Sequence, residues 1–204
     1  MLIGFEKEFF VTKEKEVVVV PNRIPHDDCG WLAEARSKPS GDVVEGVFSL
    51  KADEFRLRML AIEEGLQLVA TPFMKVPKEV RLAARREFSK GLTEYQNLYG
   101  HTSHGLPLAM ADAGIHVSFT FSRTKYYGKK NRKFEYNPVW DYPRLFGLLD
   151  RRFAMEIKLA KRRPGFYEIK PDGRIEYRSL PNTLHFTQLV AGIQWALKEC
   201  GSLL

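Results

Sequence analysis

Apolar and polar side chains alternate through Gly4-Phe5-Glu6-Lys7-Glu8-Phe9-Phe10, the period of a β-strand. Glu6 and Glu8 therefore share one face, and Lys7 shares the other with Phe5 and Phe9. A polar, hairpin-like connection leads to a short apolar strand, Val17 to Val20. Trp31 to Arg36, Leu66 to Ala70, Gly114 to Phe121, Phe166 to Lys170 and Arg174 to Leu180 read as further strands. Helical spacing predicts a helix near Val43 to Gly65, broken around Gly46 to Ser49, capped by Ser49 or Asp53 and buried through Phe55, Met59 and Ile62. A second helix is expected from Pro77 to Lys90. The longest is expected from Asp141, its cap, to Lys161. The last runs from Leu184 to Glu199, capped by Asn182 or Thr183, with Leu189, Ile193, Trp195, Ala196 and Leu197 as its apolar stripe. Helices inserted between strands of an antiparallel-rich sheet make an α+β protein. No repeat or linker interrupts the chain, so residues 1–204 read as a single domain.

Composition narrows the function classes without choosing one. Hydrophobic residues are 44% and charged residues 28%, an ordinary globular balance. A net charge of +7 favours polyanions such as nucleotide phosphates, nucleic acid or acidic peptide. Cys29 and Cys200 form no metal-binding pair, which fits a reducing, cytoplasmic setting. The first residues are charged by Glu6 and lack an apolar core, so no signal peptide is expected, and no apolar run suits a membrane helix.

The polar strand faces carry the candidate chemistry. Two carboxylates on one face of a strand repel each other unless a cation lies between them, so Glu6 and Glu8 mark either a solvated edge or a metal platform. Three further stretches repeat the arrangement: Glu34 on the strand Trp31 to Arg36, His116 with Ser118 and Thr120, and Glu176 with Arg178. Together they offer oxygen and nitrogen donors enough for two or three divalent ions. Arg162, Arg163, Lys170 and Arg178 form a basic cluster suited to phosphates, although the end of a helix accounts for part of it. Acids that hold metals beside bases that neutralise phosphate are the chemistry of phosphoryl transfer. No P-loop and no Gly-x-Gly-x-x-Gly stretch is present. His101 and His104 lie in an irregular stretch, as ligands or as rim residues. Arg123 to Asn137 interleaves Lys and Arg with Tyr, as a hairpin or a mobile loop, and such a stretch also suits single-stranded nucleic acid.

The ordered motifs carry a resemblance. Gly4-Phe5-Glu6-Lys7-Glu8-Phe9, the stretch from Asp28 to Pro39 around Glu34, Gly114-Ile115-His116-Val117, and Lys170 to Asn182 with Glu176-Tyr177-Arg178 resemble the carboxylate–amine ligase superfamily of glutamine synthetase and glutamate–cysteine ligase. More closely, they resemble its compact phage and bacterial branch, the amidoligases. The resemblance implies a mainly antiparallel curved sheet, a glutamine synthetase-like catalytic fold with helices on its outer face. It implies an ATP- and Mg²⁺-dependent ligase that activates a small-molecule or peptide carboxylate as an acyl phosphate, which an amine then displaces. By carry-over, Glu6, His116 and Glu176 hold one ion and Glu8 with Glu34 another, with Asp28 assisting. Arg178 neutralises the transferred phosphoryl group, with Glu176 beside it at the catalytic centre. Arg162 or Arg163, with Lys170, contacts nucleotide phosphates. The setting implied is a bacterial or phage-infected cytoplasm. The chain departs from the larger enzymes in its shortness, which leaves a neighbouring subunit of a homo-oligomer to complete the funnel, and in Ser118, where relatives often carry a second histidine. Two other readings remain: a degenerate site on a protein that uses its basic surface on nucleic acid or in an assembly, and a metal-dependent nuclease.

Overall fold

A computed structural model describes residues 1–27, 29–87, 110–120, 122–127, 131–136, 142–170 and 173–201, with 84–87, 122–127 and 131–136 described by their backbone. Asp28, His101, His104, Asp141 and the Pro171-Asp172 turn lie outside the described residues.

The sheet is built on β1 (Ile3–Lys13). On one edge, residues Ile3 to Lys7 pair with β7 (Gly114–Phe119), and Phe10 to Thr12 with β4 (Gln67–Val69). On the other, Glu6 to Phe10 pair with β3 (Leu32–Arg36), and Thr12 and Lys13 with β2 (Glu16–Val17). Beyond β7 lie β11 (Ile175–Pro181) and then β10 (Tyr167–Ile169). Every one of these pairings is antiparallel, and the sheet curls. Two short ladders stand apart from it: β5 (Phe73–Lys75) with β6 (Met110–Asp112), and the hairpin β8 (Ser122–Tyr127) with β9 (Asn131–Tyr136).

Strand alternation divides the molecule into two sides. Phe5 and Phe9 of β1, Val117 and Phe119 of β7, and Tyr177 of β11 enter the main core. Helices cover this side: α1 (Val43–Glu63), α3 (Tyr142–Arg152), α4 (Ala154–Leu159) and α5 (Phe186–Glu199). Lys7 is the charged exception there. Its Nζ pairs with Glu54 at 3.2 Å and lies 4.8 Å from the Phe186 ring centroid. The opposite face carries Glu6, Glu8, Glu34, His116, Ser118 and Glu176. At one end of that face Phe10 and Leu32 join Trp31, Val76 and Ala111 in a second apolar cluster near β6 and α2 (Lys78–Glu87), closing the polar row with packing.

Several helix expectations change. The first helix is unbroken, because Asp42 caps it by accepting bonds from the Val44 and Glu45 amides at 2.6 and 3.0 Å. Ser49 and Asp53, expected as caps, instead accept the backbone amides of Lys38 and Arg36, tying the helix to β3 and its loop. Phe55, Met59 and Ile62 are exposed, and Val43, Val47, Leu50, Leu57 and Ala61 are the buried positions. At 21 residues α1 is also the longest described helix. The segment expected to hold that place divides at Phe153, whose buried ring sits against Gly192 of α5. The last helix starts from His185 as its cap, and its Trp195 faces outward. No described helix is long and apolar enough to cross a membrane.

Candidate metal centre

Register brings the polar residues of separate strands together. Glu6 of β1 stands directly opposite His116 of β7, and Ser118 of β7 opposite Glu176 of β11. Glu8 stands opposite Glu34 across the β1–β3 ladder. One ligand atom from each of Glu6, His116 and Glu176 lies within 4.8 Å of the others. His116 Nδ1 is 3.7 Å from a carboxylate oxygen of Glu6 and 3.7 Å from one of Glu176, and its Nε2 is 3.6 Å from Glu8.

The ladder between β7 and β11 carries a bulge. Tyr177 pairs with Val117, but the next partner pair is Leu180 with Ile115, so Arg178 and Ser179 together oppose His116. Arg178 Nη1 donates to the Glu176 carboxylate and, at 3.1 Å, to Glu168. Lys170 Nζ reaches Glu168 at 2.9 Å and Glu176 at 3.2 Å. The bulge is pinned from behind by Arg162. Its guanidinium donates to the Arg178 carbonyl at 2.7 Å and to Asp112 at 3.0 Å, and it lies so close to Gly114 that a Cβ there would come within 2.6 Å of it. Arg162, expected at nucleotide phosphates, is thus buried and engaged by the protein. Arg163 is exposed.

The second expected ligand pair has other partners. Glu8 accepts the Gly114 amide at 2.7 Å, and Asn182 donates to the Glu8 carbonyl at 3.0 Å. Glu34 accepts from Arg36 at 2.6 Å. The described residues thus bring Glu6, His116 and Glu176 to one point, with Glu8 and Glu34 buried beside it.

Burial makes this cluster electrostatically demanding, since Glu176 has no exposed surface. Burial pushes the Glu34 carboxyl up to about 8, and the neighbouring Glu6 charge adds to the rise. Burial also raises Glu6, but the hydrogen bond and charge of His116 outweigh it and hold that carboxyl well below its usual range. Burial alone would lower His116. The charges of Glu8, Glu6 and Glu176 overcome it and lift the imidazole to about 10. The Glu176 carboxyl is raised, chiefly by burial. A site whose acids need a proton or a cation for company is one a divalent ion would stabilise.

Sequence reasoning missed Glu168, Asp112 and Asn182. Glu168 was visible in principle, since it stands two positions before Lys170, as Glu6 does before Glu8. Asp112 carries no local signal, because its role depends on an arginine fifty positions later in the chain. Compared with known proteins, the chain matches no family model and no curated sequence.

Proposed function

We propose that the chain is an ATP- and divalent-metal-dependent carboxylate–amine ligase of the amidoligase type, on a glutamine synthetase-like sheet. The observation that carries this reading is the convergence of Glu6, His116 and Glu176 beside Arg178 and Lys170. Two carboxylates and one imidazole fit a divalent cation. Mg²⁺ accepts the carboxylates, and the imidazole makes Mn²⁺ the tighter binder. The bound ion and ATP would supply the electrophilic phosphorus and screen its charge. In the first step a carboxylate oxygen of the acid bonds to that phosphorus and ADP leaves. The amine nitrogen then bonds to the acyl carbon, the acyl C–O bond breaks, phosphate departs and the amine loses a proton. In this chain Glu6, His116 and Glu176 would hold the ion. Arg178 and Lys170, next to Glu176, would meet the negative charge that gathers on the phosphoryl group, and exposed Arg163 is the remaining candidate for nucleotide phosphate. Glu8 and Glu34, buried beside that ion, would be the donors for a further one in exchange for their present partners.

Calorimetric titration with a non-hydrolysable ATP analogue tests this, with and without Mg²⁺ or Mn²⁺, on the wild type and on Glu6→Gln. Metal-dependent binding weakened at least about tenfold in the variant supports the reading. Equal binding by both proteins, or none by a folded wild type, sinks it.

A second reading is a binding protein with a degenerate site. The net charge of +7 favours it, since a basic surface attracts polyanions. Salt-sensitive oligonucleotide binding without nucleotide turnover separates it from the ligase.

A further inference from the structure

The solvent side of α1 is apolar. Phe48 is 66% exposed, Phe55 67%, Ile62 64% and Met59 43%, and exposed Ala52 lies among them. The same helix buries Val43, Val47, Leu50, Leu57 and Ala61 against the sheet. A helix apolar on both faces belongs inside a structure. From Phe48 the outer residues follow at steps of four, three, four and three, through Ala52, Phe55 and Met59 to Ile62. That is the spacing of a coiled-coil seam, which meets a second helix along its whole length. At its N-terminal end the seam runs into an apolar groove of about 340 Å³ between α1 and α5, lined by Val44, Val47, Phe48, Phe186 and Val190.

We propose that α1 pairs antiparallel with α1 of a second copy of this chain, about a two-fold axis between Asp53 and Glu54. In that register Ala52 of each copy faces Phe55 of the other, and Phe48 faces Met59. Large side chains meet small ones in the central layers. A parallel pair would stack Phe55 on Phe55 and leave a gap at Ala52. Two flanking arginines offer little to an acidic foreign helix, although the same register sets Lys51 of each copy opposite Arg56 of the other. Arg56 is bonded to Asp53 at 2.8 Å and Arg58 to Glu54 at 2.8 Å, so both guanidinium groups already have carboxylates within their own helix. The pairing covers the helix side of the sheet and leaves the acidic face clear, so it does not rest on the ligase reading.

Sedimentation of the full chain over about 1 to 100 µM tests it. A reversible dimer is expected, and Phe55→Glu should weaken it at least about tenfold with an unchanged circular dichroism spectrum. A wild type that stays monomeric over this range, or a dimer indifferent to Phe55→Glu, overturns the proposal. Orientation is read by cross-linking in a Cys200→Ser background, Cys29 being buried. Phe48→Cys should form a disulfide when mixed with Met59→Cys and not by itself. Self-linking of Phe48→Cys overturns the antiparallel pairing.

Discussion

Arg162 shows how one side chain's partners decide its role. Its guanidinium is held by a buried carboxylate and by the carbonyl at the strand bulge, so its removal leaves Asp112 buried without that ion pair. Arg162→Met is therefore expected to lower unfolding free energy by about 3–5 kcal/mol in urea melts. A residue that only contacted phosphate would leave the melt unchanged and weaken nucleotide binding alone. Cys29 gives a second expectation. Burial raises its thiol, the Asp27 charge adds to this, and its Sγ donates to Asp27 Oδ1 at 2.7 Å. An unfolded cysteine ionises near pH 8.5, whereas the folded one keeps its proton, so above that pH the native state binds more protons and stability falls as pH rises. Urea melts from pH 8 to 10 should lose up to about 1.4 kcal/mol per pH unit more steeply in the wild type than in Cys29→Ala. The site's charged residues were legible because strand alternation is local: Glu6, His116 and Glu176 could be placed on faces from neighbours two positions away. The function of Arg162 was not legible, because it depends on Asp112 and Gly114, which only the folded sheet brings near.

At the scale of elements, α1 and α5 show where a pattern misleads. Phe55, Met59 and Ile62 keep helical spacing, but so do Val43, Val47, Leu50, Leu57 and Ala61, and periodicity cannot say which of two apolar faces meets the sheet. The division at Phe153 had no warning either, since neither proline nor glycine marks it. Its physical counterpart lies in α5, where Gly192 leaves room for the Phe153 ring: a Cβ there would come within 2.2 Å of it. Gly192→Ala is expected to destabilise the protein by about 1–3 kcal/mol despite alanine's better helix propensity, read as a lower thermal midpoint. The bulge in β11 left a trace that alternation alone does not explain: Glu176 and Arg178 are polar but Leu180, two positions on, joins Ile175 and Tyr177 in the core. Only the register, with Tyr177 on Val117 and Leu180 on Ile115, shows two residues facing His116.

At the scale of the whole molecule, the candidate metal centre joins β1, β7 and β11, so an ion held there would clamp the middle of the sheet. Mn²⁺ at a hundredfold excess over its dissociation constant should add about 2.7 kcal/mol to stability, a rise of several degrees in Tm. Glu6→Gln should abolish most of that rise in a thermal scan. The same layout has a consequence in time. As β1 leaves a ribosome, β2, β3 and β4 follow soon after, but the edge from Ile3 to Lys7 must wait for β7. At about 5–20 residues per second, the intervening stretch of roughly 100 residues keeps that edge unpaired for roughly 5–20 seconds. An open strand edge that carries Phe5 invites pairing with other nascent chains. Crowded polysomes, more than heat, are where this protein's yield should be lost.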